Sequence, residues 1–328
     1  MKVIFLGSGA IGLPTLRELS KLHDVQLVVS QPARPAGRRR TLTPTPIAAW
    51  ANQQDITTIT PENVNDSDII AQLHAVNADA WVVIAYGQKL SRELLSNNFA
   101  INLHASLLPA YRGAAPINWA IMHGENQTGL SVITVADRMD AGDILGQITT
   151  PIDPMETAGE LHDRLALLGP DLILEVLDKY ERNTLTPVPQ DHALATRAPK
   201  LSKHDGTVTF NQSARGVQAR IHGLTPWPGC SVQLIDHDNV STPSILKLSR
   251  VMVVREEDDD NGPAGAAPGQ LDADGCVQCD PGKIRILALQ PPGKKIMDFS
   301  AWVHGHVVGP ACFLRKMDAV GCAEAQPE

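Results

Sequence analysis

Short apolar runs alternate with helix-like segments through the first 150 residues, and this alternation restricts the fold more than any other feature of the chain. Four apolar runs are predicted to be buried strands, at residues 3–6, 25–29, 80–85 and 100–103. Three segments are predicted to be helices, at residues 14–22, 47–53 and 69–76. Strands that alternate with helices at this spacing form βαβ units. Continuous apolar strands fit a sheet that is covered on both faces. The sequence therefore predicts an α/β domain built on a parallel or mixed sheet.

The turn after the first predicted strand carries Gly7, Gly9 and Gly12 in the spacing G-x-G-x-x-G, which is typical of dinucleotide-binding loops. A dinucleotide site also requires an acidic residue about 20 residues further on, at the end of the second strand. That strand ends here at Ser30, with no Asp or Glu beside it. We therefore expect the glycines to permit a tight turn and close helix packing, and we expect no NAD.

The pattern changes after residue 153. A long helix-like stretch, broken only at Gly169-Pro170, precedes a weakly periodic segment rich in Pro, Thr and Ala, and short strand-like runs separated by turns follow. Such runs are typical of a small β-barrel or β-sandwich. The expected organisation is an N-terminal domain, a linker, a small β-rich domain and a frayed tail, over 1–183, 184–206, 207–316 and 317–328.

Composition and charge exclude several classes of protein. Hydrophobic residues make up 43% of the 328 residues, enough for a large core, and the net charge of −8 argues against binding nucleic acid over the whole surface. The odd number of cysteines, five, argues against a disulfide framework. Cys276 and Cys279 form a lone C-x-x-C without a second ligand pair, so we expect no zinc. No apolar run approaches the ~20 residues that span a bilayer, and we expect a cytoplasmic protein.

The stretch INLHASLLPAYRGAAPINWAI carries the main candidate site. Asn102 and His104 lie two residues apart at the end of a strand-like run, so their side chains are predicted to share one face. Open α/β sheets bind ligands at the carboxyl ends of their strands. A later stretch, TGLSVITVADRMDAGDIL, places Asp140 and Asp143 around Gly142 after another strand. The chain between the two stretches is long enough to bring an aspartate beside His104.

An amide, an imidazole and a carboxylate together suit acyl transfer through a stabilised oxyanion. The chain has no G-x-S-x-G motif and no cysteine near this stretch, so we expect the attacking group, for instance an amine, to arrive with the substrate. Taken singly, each of these residues also has a structural explanation, as a loop histidine, a turn-capping asparagine or turn aspartates. We favour the functional interpretation because the three residue types occur together.

The same stretches resemble the folate-dependent formyltransferases. The family pattern N-x-H-x-S-L-L-P stands at 102–109, R-G-A-A-P at 112–116 and D-x-G-D at 140–143. SQPARPAGRRRTLTPTPI is similar to an inserted loop of the tRNA-formylating members, and LTPWPG and LALQPPGKKIM are similar to their C-terminal domain. The resemblance covers nearly the whole chain. It implies a Rossmann-like catalytic domain followed by a small OB-like β-barrel.

The resemblance implies transfer of a formyl group from 10-formyltetrahydrofolate to the α-amino group of methionine on initiator tRNA, for translation initiation. Asn102 and His104 would stabilise the oxyanion, and Asp140 would orient His104 and help remove the proton of the amine. The implied folate-binding residues follow two strand ends: Tyr86, Gly87, Ser106, Leu107, Leu108 and Pro109. The transfer involves no redox change, so we expect no NAD. We also expect no metal, and we expect a monomer.

Positive charge concentrates in the proline-rich inserted loop of this acidic protein. An arginine cluster suits phosphates and stacked bases, and the resemblance places Arg38 against the acceptor stem. The predicted tRNA-binding residues are those of this loop and a lysine pair of the barrel domain: Arg34, Arg38, Arg39, Arg40, Lys294 and Lys295. A solvated basic loop and ordinary surface lysines are the alternative interpretation.

Other functions fit parts of the sequence. A formyltransferase acting on an amino sugar nucleotide would share the catalytic residues, whereas glycinamide ribonucleotide formyltransferases are usually shorter. A dehydrogenase would explain the glycine loop but not the missing acid. A non-catalytic RNA-binding module would explain the barrel and the arginines, yet it would not require Asn102, His104 and Asp140 together.

Overall fold

The structure is a computed structural model that describes residues 1–37, 40–235, 244–254, 266–306, 308–309 and 312–317. Its helices are α1 (Leu13–Leu22), α2 (Pro46–Gln53), α3 (Ser67–Ala75), α4 (Arg92–Leu95), α5 (Pro116–Met122), α6 (Ala158–Glu181), α7 (Ala214–Gly223) and α8 (Phe299–Val303). The chain divides into two compact units. The first contains residues 1–116, 127–150 and 162–199, and the second contains 117–126, 151–161 and the described residues from 200 onward.

The first unit is built on a mixed seven-stranded sheet. The strands of the unit are β1 (Lys2–Gly7), β2 (Asp24–Val29), β3 (Arg34–Ala36), β4 (Thr41–Thr43), β5 (Thr58–Ile59), β6 (Ala80–Ile84), β7 (Ala100–His104), β8 (Arg112–Gly113), β9 (Gln127–Thr134), β10 (Ile144–Pro151) and β11 (Arg197–Ala198). Four of them, β3 with β4 and β8 with β11, form two separate two-stranded sheets. The sheet order is β10-β9-β7-β6-β1-β2-β5. The pairs β5–β2, β2–β1, β1–β6 and β6–β7 are parallel, and β9 runs antiparallel to β7. The predicted α/β, Rossmann-like sheet is confirmed.

The glycine turn brings the chain close to a neighbouring strand. A Cβ atom on Gly7 would lie 2.5 Å from Cε1 of Phe5, and one on Gly12 would lie 3.2 Å from Cβ of Ile84, which belongs to β6. A short 3-10 turn, Ala10–Gly12, then leads into α1. These close contacts provide the packing reason for glycine that the sequence predicted, since a side chain at either position would push the turn away from the sheet.

The second unit contains a closed β-barrel. Its strands are β12 (Cys230–Ile235), β13 (Ser244–Val254), β14 (Gln270–Leu271), β15 (Cys276–Gln278), β16 (Lys283–Gln290), β17 (Met297–Asp298) and β18 (Cys312–Lys316). The order β13-β12-β18-β14-β15-β16 closes through antiparallel pairing of β13 with β16, in which Leu248 lies opposite Leu289. Closure removes the free sheet edges. The predicted small barrel is confirmed.

Helix α6 is continuous, so the predicted break at Gly169-Pro170 is wrong. The helix runs over 24 residues with Pro170 in its interior. Proline removes one helical hydrogen bond, but tertiary packing overrides this loss. A Cβ atom on Gly169 would lie 3.0 Å from both Cδ2 of Leu103 and Oγ1 of Thr15, so the helix is packed tightly in the first unit at this point.

The segment predicted as a linker, 184–206, differs from that expectation in its first part. Residues up to Pro199 group with the first unit. Val188 exchanges backbone hydrogen bonds of 2.8 and 2.9 Å with Ile144, and β11 pairs in parallel with β8. These contacts are short backbone pairings, which leave no hydrophobic periodicity in the sequence.

No helix among the described residues is both long and apolar enough to cross a membrane.

Candidate active site

His104 is the last residue of β7, and its ring lies beside the carboxylate of Asp140. Nδ1 of His104 is 3.7 Å from Oδ2 of Asp140, and the two side chains are 7% and 13% exposed. Nε2 of His104 lies 2.9 Å from the backbone oxygen of Tyr111. Because a carbonyl oxygen only accepts, Nε2 carries a proton, and Nδ1 is the ring nitrogen that faces the carboxylate. The structure therefore brings together two of the three residues predicted to act together.

Asp140 occupies the loop between β9 and β10 in a left-handed backbone conformation, with φ of +52°. Its Oδ2 accepts a hydrogen bond of 2.8 Å from the backbone N–H of Gly113. Two residues on, Gly142 passes so close to β9 that a Cβ atom would lie 1.8 Å from the backbone oxygen of Thr134. The close passage of Gly142 and the turn at Asp140 together direct the carboxylate toward His104.

Asn102 lies two residues before His104 on the same face of β7. It is half-buried and pairs in register with Val83 on β6 and Ile133 on β9. Within the part of the chain that the structure describes, its side-chain amide makes no hydrogen bond. The amide N–H groups are thus free to donate to a ligand at the carboxyl end of the strand.

The predicted folate residues after β7 form a well-anchored loop. Ser106 is fully buried, and its hydroxyl donates to the backbone oxygen of Ala110 at 2.6 Å. Leu108 is 3% exposed, and its backbone N–H donates to the hydroxyl of Ser131 at 3.0 Å. Leu107 and Pro109 are half-buried. Leu107 and Pro109 therefore expose part of their side chains, whereas Ser106 and Leu108 are buried and anchor the loop through their hydrogen bonds.

The side chain of Tyr86, a predicted folate-binding residue, is buried. Its ring is 2% exposed and packs in the core with Ile4 and Trp81, and burial raises the pKa of the phenol. Its backbone oxygen accepts a hydrogen bond of 2.9 Å from the hydroxyl of Ser8. Gly87, the next residue, is exposed with φ of +94°. This strand end therefore presents backbone, not the tyrosine ring.

The predicted tRNA-binding residues are divided between the two units. Arg34 and Arg40 are exposed on the hairpin of β3 and β4, where Nη2 of Arg34 lies 4.0 Å from Oε2 of Glu62. Lys294 and Lys295 are exposed in the turn that follows β16. Arg38 and Arg39 lie outside the described residues. The assignment of these arginines and lysines to tRNA stays a prediction, as does that of Tyr86 to the folate.

Metal-binding residues do not cluster in the described part of the chain, where no three His, Cys, Asp or Glu side chains lie together. Cys276 and Cys279 are buried, and burial raises the pKa of the Cys279 thiol to about 12. Burial also raises the pKa of the Cys276 thiol.

Sequence reasoning missed Gln190, which lies in the predicted linker. Its side-chain amide donates to the backbone oxygens of Asp140, at 2.9 Å, and Gly142, at 2.7 Å. It also missed Tyr111, whose carbonyl fixes the ring of His104. Gln190 is not marked by any periodicity because its partners lie 50 and 48 positions away. Tyr111 acts through its backbone carbonyl, which every residue type carries, so its side chain gives no signal.

This fold, with its histidine–aspartate pair at the end of a central strand, defines a class: the chain belongs to the formyl transferase family. The family model described as formyl transferase matches residues 1–177, and the model of the formyl transferase C-terminal domain matches residues 200–307.

Individual proteins of the family resemble this chain over nearly its whole length. A methionyl-tRNA formyltransferase from Citrifermentans bemidjiense is 37% identical over 326 residues, which cover 97% of this chain and 98% of that protein. One of the same name from Geobacter metallireducens is 38% identical over 312 residues, 93% of this chain and 96% of that protein. An N-formyltransferase from Helicobacter canadensis, solved with folinic acid and dTDP-3-aminofucose, has a similar fold, with a TM-score of 0.62 at 16% identity over 87% of this chain and 98% of that one.

Proposed function

We propose that this protein transfers the formyl group of 10-formyltetrahydrofolate to the α-amino group of methionine on initiator methionyl-tRNA. The observation that carries the proposal is the pairing of His104 with Asp140 at the carboxyl end of β7, with 3.7 Å between Nδ1 and Oδ2. The names of the relatives that match nearly the whole chain support the choice of methionyl-tRNA as acceptor.

The proposed reaction begins when the neutral amine attacks the formyl carbon. A carbon–nitrogen bond forms, and the carbonyl electrons move to oxygen, which becomes an oxyanion. The free amide of Asn102 and the ring of His104, protonated on both nitrogens, stabilise that oxyanion. Asp140 accepts the proton lost by the amine, through a bridging water. When the intermediate collapses, the bond to N10 of the folate breaks and N10 takes up that proton from Asp140.

The folate is proposed to bind beside the loop that contains Leu107 and Pro109 and against the exposed backbone of Gly87. The backbone amides at such strand ends provide hydrogen bonds without requiring a charged side chain. Because the formyl group keeps its oxidation state, the proposal includes no NAD. It assigns the stabilisation of the oxyanion to Asn102 and His104 and therefore includes no metal.

The tRNA is proposed to contact the arginines at 34, 38, 39 and 40 and the exposed lysine pair at 294 and 295. Two separate basic clusters on an acidic protein fit a ligand that carries phosphates. An Arg38→Ala variant is expected to raise the KM for tRNA and leave the KM for the folate unchanged. An equal rise in both constants would count against a tRNA role.

We also propose that the protein acts as a cytoplasmic monomer. Sedimentation tests the monomer, and cell fractionation tests the cytoplasmic location.

The experiment is a formylation assay with purified protein, 10-formyltetrahydrofolate and charged initiator tRNA, scored for N-formylmethionyl-tRNA. A His104→Ala variant is the control for the site. We expect product with the wild type and severe loss in the variant. Product from an amino sugar nucleotide alone would replace the proposed acceptor with the sugar.

A further inference from the structure

We infer that Gln190 is a positioning residue, which holds Asp140 in the place where its carboxylate faces His104. The inference rests on the proposed function of that pair. Gln190 is 7% exposed, whereas the residues on either side of it, at 186–189 and 191–194, are all exposed. A buried amide in an otherwise exposed segment requires hydrogen-bond partners, and its partners indicate its role.

The side-chain amide of Gln190 uses its full hydrogen-bonding capacity at the site. Its two N–H groups donate to the backbone oxygens of Asp140 and Gly142, at 2.9 and 2.7 Å. Its Oε1 accepts from Nε of Arg112 at 3.1 Å and also from Nη2. Gln190 thus joins the loop that carries the carboxylate to the loop that follows β7.

The Asp140 loop needs such external support. Asp140 has φ of +52°, a conformation that non-glycine residues adopt at a cost. The carbonyls of Asp140 and Gly142 belong to no strand or helix, so they depend on a side chain for their hydrogen bonds. Backbone and side-chain hydrogen bonds also hold Asp143 to Thr134. The carbonyls of Asp140 and Gly142 receive their hydrogen bonds from Gln190, so without the two amide donors we expect the turn, and the carboxylate with it, to shift.

The second loop is fixed by the same segment of chain. Arg112 donates its backbone N–H to the oxygen of Thr196 at 2.9 Å, and its Nη2 lies 3.0 Å from Nδ1 of His192. Gly113, next to it, donates to the carboxylate of Asp140 at 2.8 Å. Residues 190–196 therefore hold both the backbone and the carboxylate of Asp140.

Two substitutions separate the roles of the amide. Gln190→Ala removes the donors and the acceptor together. Gln190→Glu keeps the size and the acceptor for Arg112 but replaces the donating nitrogen with an oxygen, which repels the two carbonyls. If the amide positions Asp140, both variants lower kcat by roughly 10- to 100-fold, the range expected when a reacting group is displaced by about 1 Å, and leave both KM values unchanged.

Gln218→Ala is the matched control, because Gln218 also donates its amide to a backbone oxygen, that of Val251 at 3.1 Å, but belongs to the second unit. We expect it to lower Tm without lowering kcat. A kcat of Gln190→Ala above half the wild-type value would overturn the inference. So would KM values that rise in parallel with the loss of kcat, or a kcat loss in Gln218→Ala as large as that in Gln190→Ala.

A measurement without substrate separates this inference from the proposed function. Crystal structures of the wild type and of Gln190→Ala are compared without substrate. We expect the distance between Nδ1 of His104 and Oδ2 of Asp140 to increase from 3.7 Å by about 1 Å in the variant. An unchanged distance refutes the positioning role, whatever acceptor the enzyme uses. Failure of the formylation assay alone refutes only the proposed function.

Discussion

Replacing Asp140 with Asn removes one negative charge from the candidate site while preserving the size of the side chain. The remaining amide oxygen still accepts the hydrogen bond from Gly113, so the loop is expected to keep its shape. At 3.7 Å and an effective dielectric constant of about 20, the attraction between the carboxylate and a ring cation is about 4.5 kcal/mol. If that attraction exists only when His104 is positively charged in the transition state, its loss lowers kcat by roughly 10³-fold.

The assay is the rate of formylmethionyl-tRNA formation at saturating folate and tRNA. Asp137→Asn is the matched control, since it removes a carboxylate from the same loop, where Asp137 pairs with Arg92 at the surface. We expect the control to retain most of its kcat, because exposed ion pairs contribute little. An Asp140→Asn enzyme within about tenfold of wild type would refute the electrostatic reasoning.

Three further predictions follow from the same contacts. Asn102→Ala is expected to lower kcat by roughly 10²- to 10³-fold through loss of an oxyanion donor, and single-turnover rates within about threefold of wild type would contradict this. Gly142→Ala should lower Tm sharply, because its Cβ atom would lie 1.8 Å from the oxygen of Thr134, whereas Gly305→Ala, with nothing within 4 Å, should not; equal melting temperatures would count against the loop geometry. Burial lowers the pKa of His222 to about 4 from 6.5, so the neutral ring stabilises the fold above pH 6.5, and this stability is lost as the pH falls toward 4. The loss is about 2 kcal/mol at pH 5; denaturant unfolding should show it in the wild type and not in His222→Gln.

The central strands and the glycine turn were predictable because each depends on local pattern. Apolar runs such as residues 80–85 fit only a covered sheet, and the glycine spacing after β1 indicated the close packing of Gly12 against β6. Helix α6 was harder, since the rule that proline breaks helices ignores the packing of Gly169 in the first unit. The turn spacing predicted a barrel or a sandwich, and the resemblance to the formyltransferases favoured the barrel.

The candidate site was predictable in part. Asn102, His104 and Asp140 are residue types that suit the chemistry, and their positions at strand ends indicated that they meet. The contacts that place them are long-range single hydrogen bonds, such as those of Gln190 to Asp140, 50 positions away. Such contacts leave no period in the sequence, and for that reason the segment that contains Gln190 was interpreted as a linker.

A double-mutant cycle between His104 and Asp140 tests most directly whether the two side chains act as one unit. The rate of N-formylmethionyl-tRNA formation is measured for wild type, His104→Ala, Asp140→Asn and the double variant. If the carboxylate acts through the ring, the double variant is about as slow as the slower single variant. Two losses that multiply would show that the residues act independently, and the account of the site would be wrong.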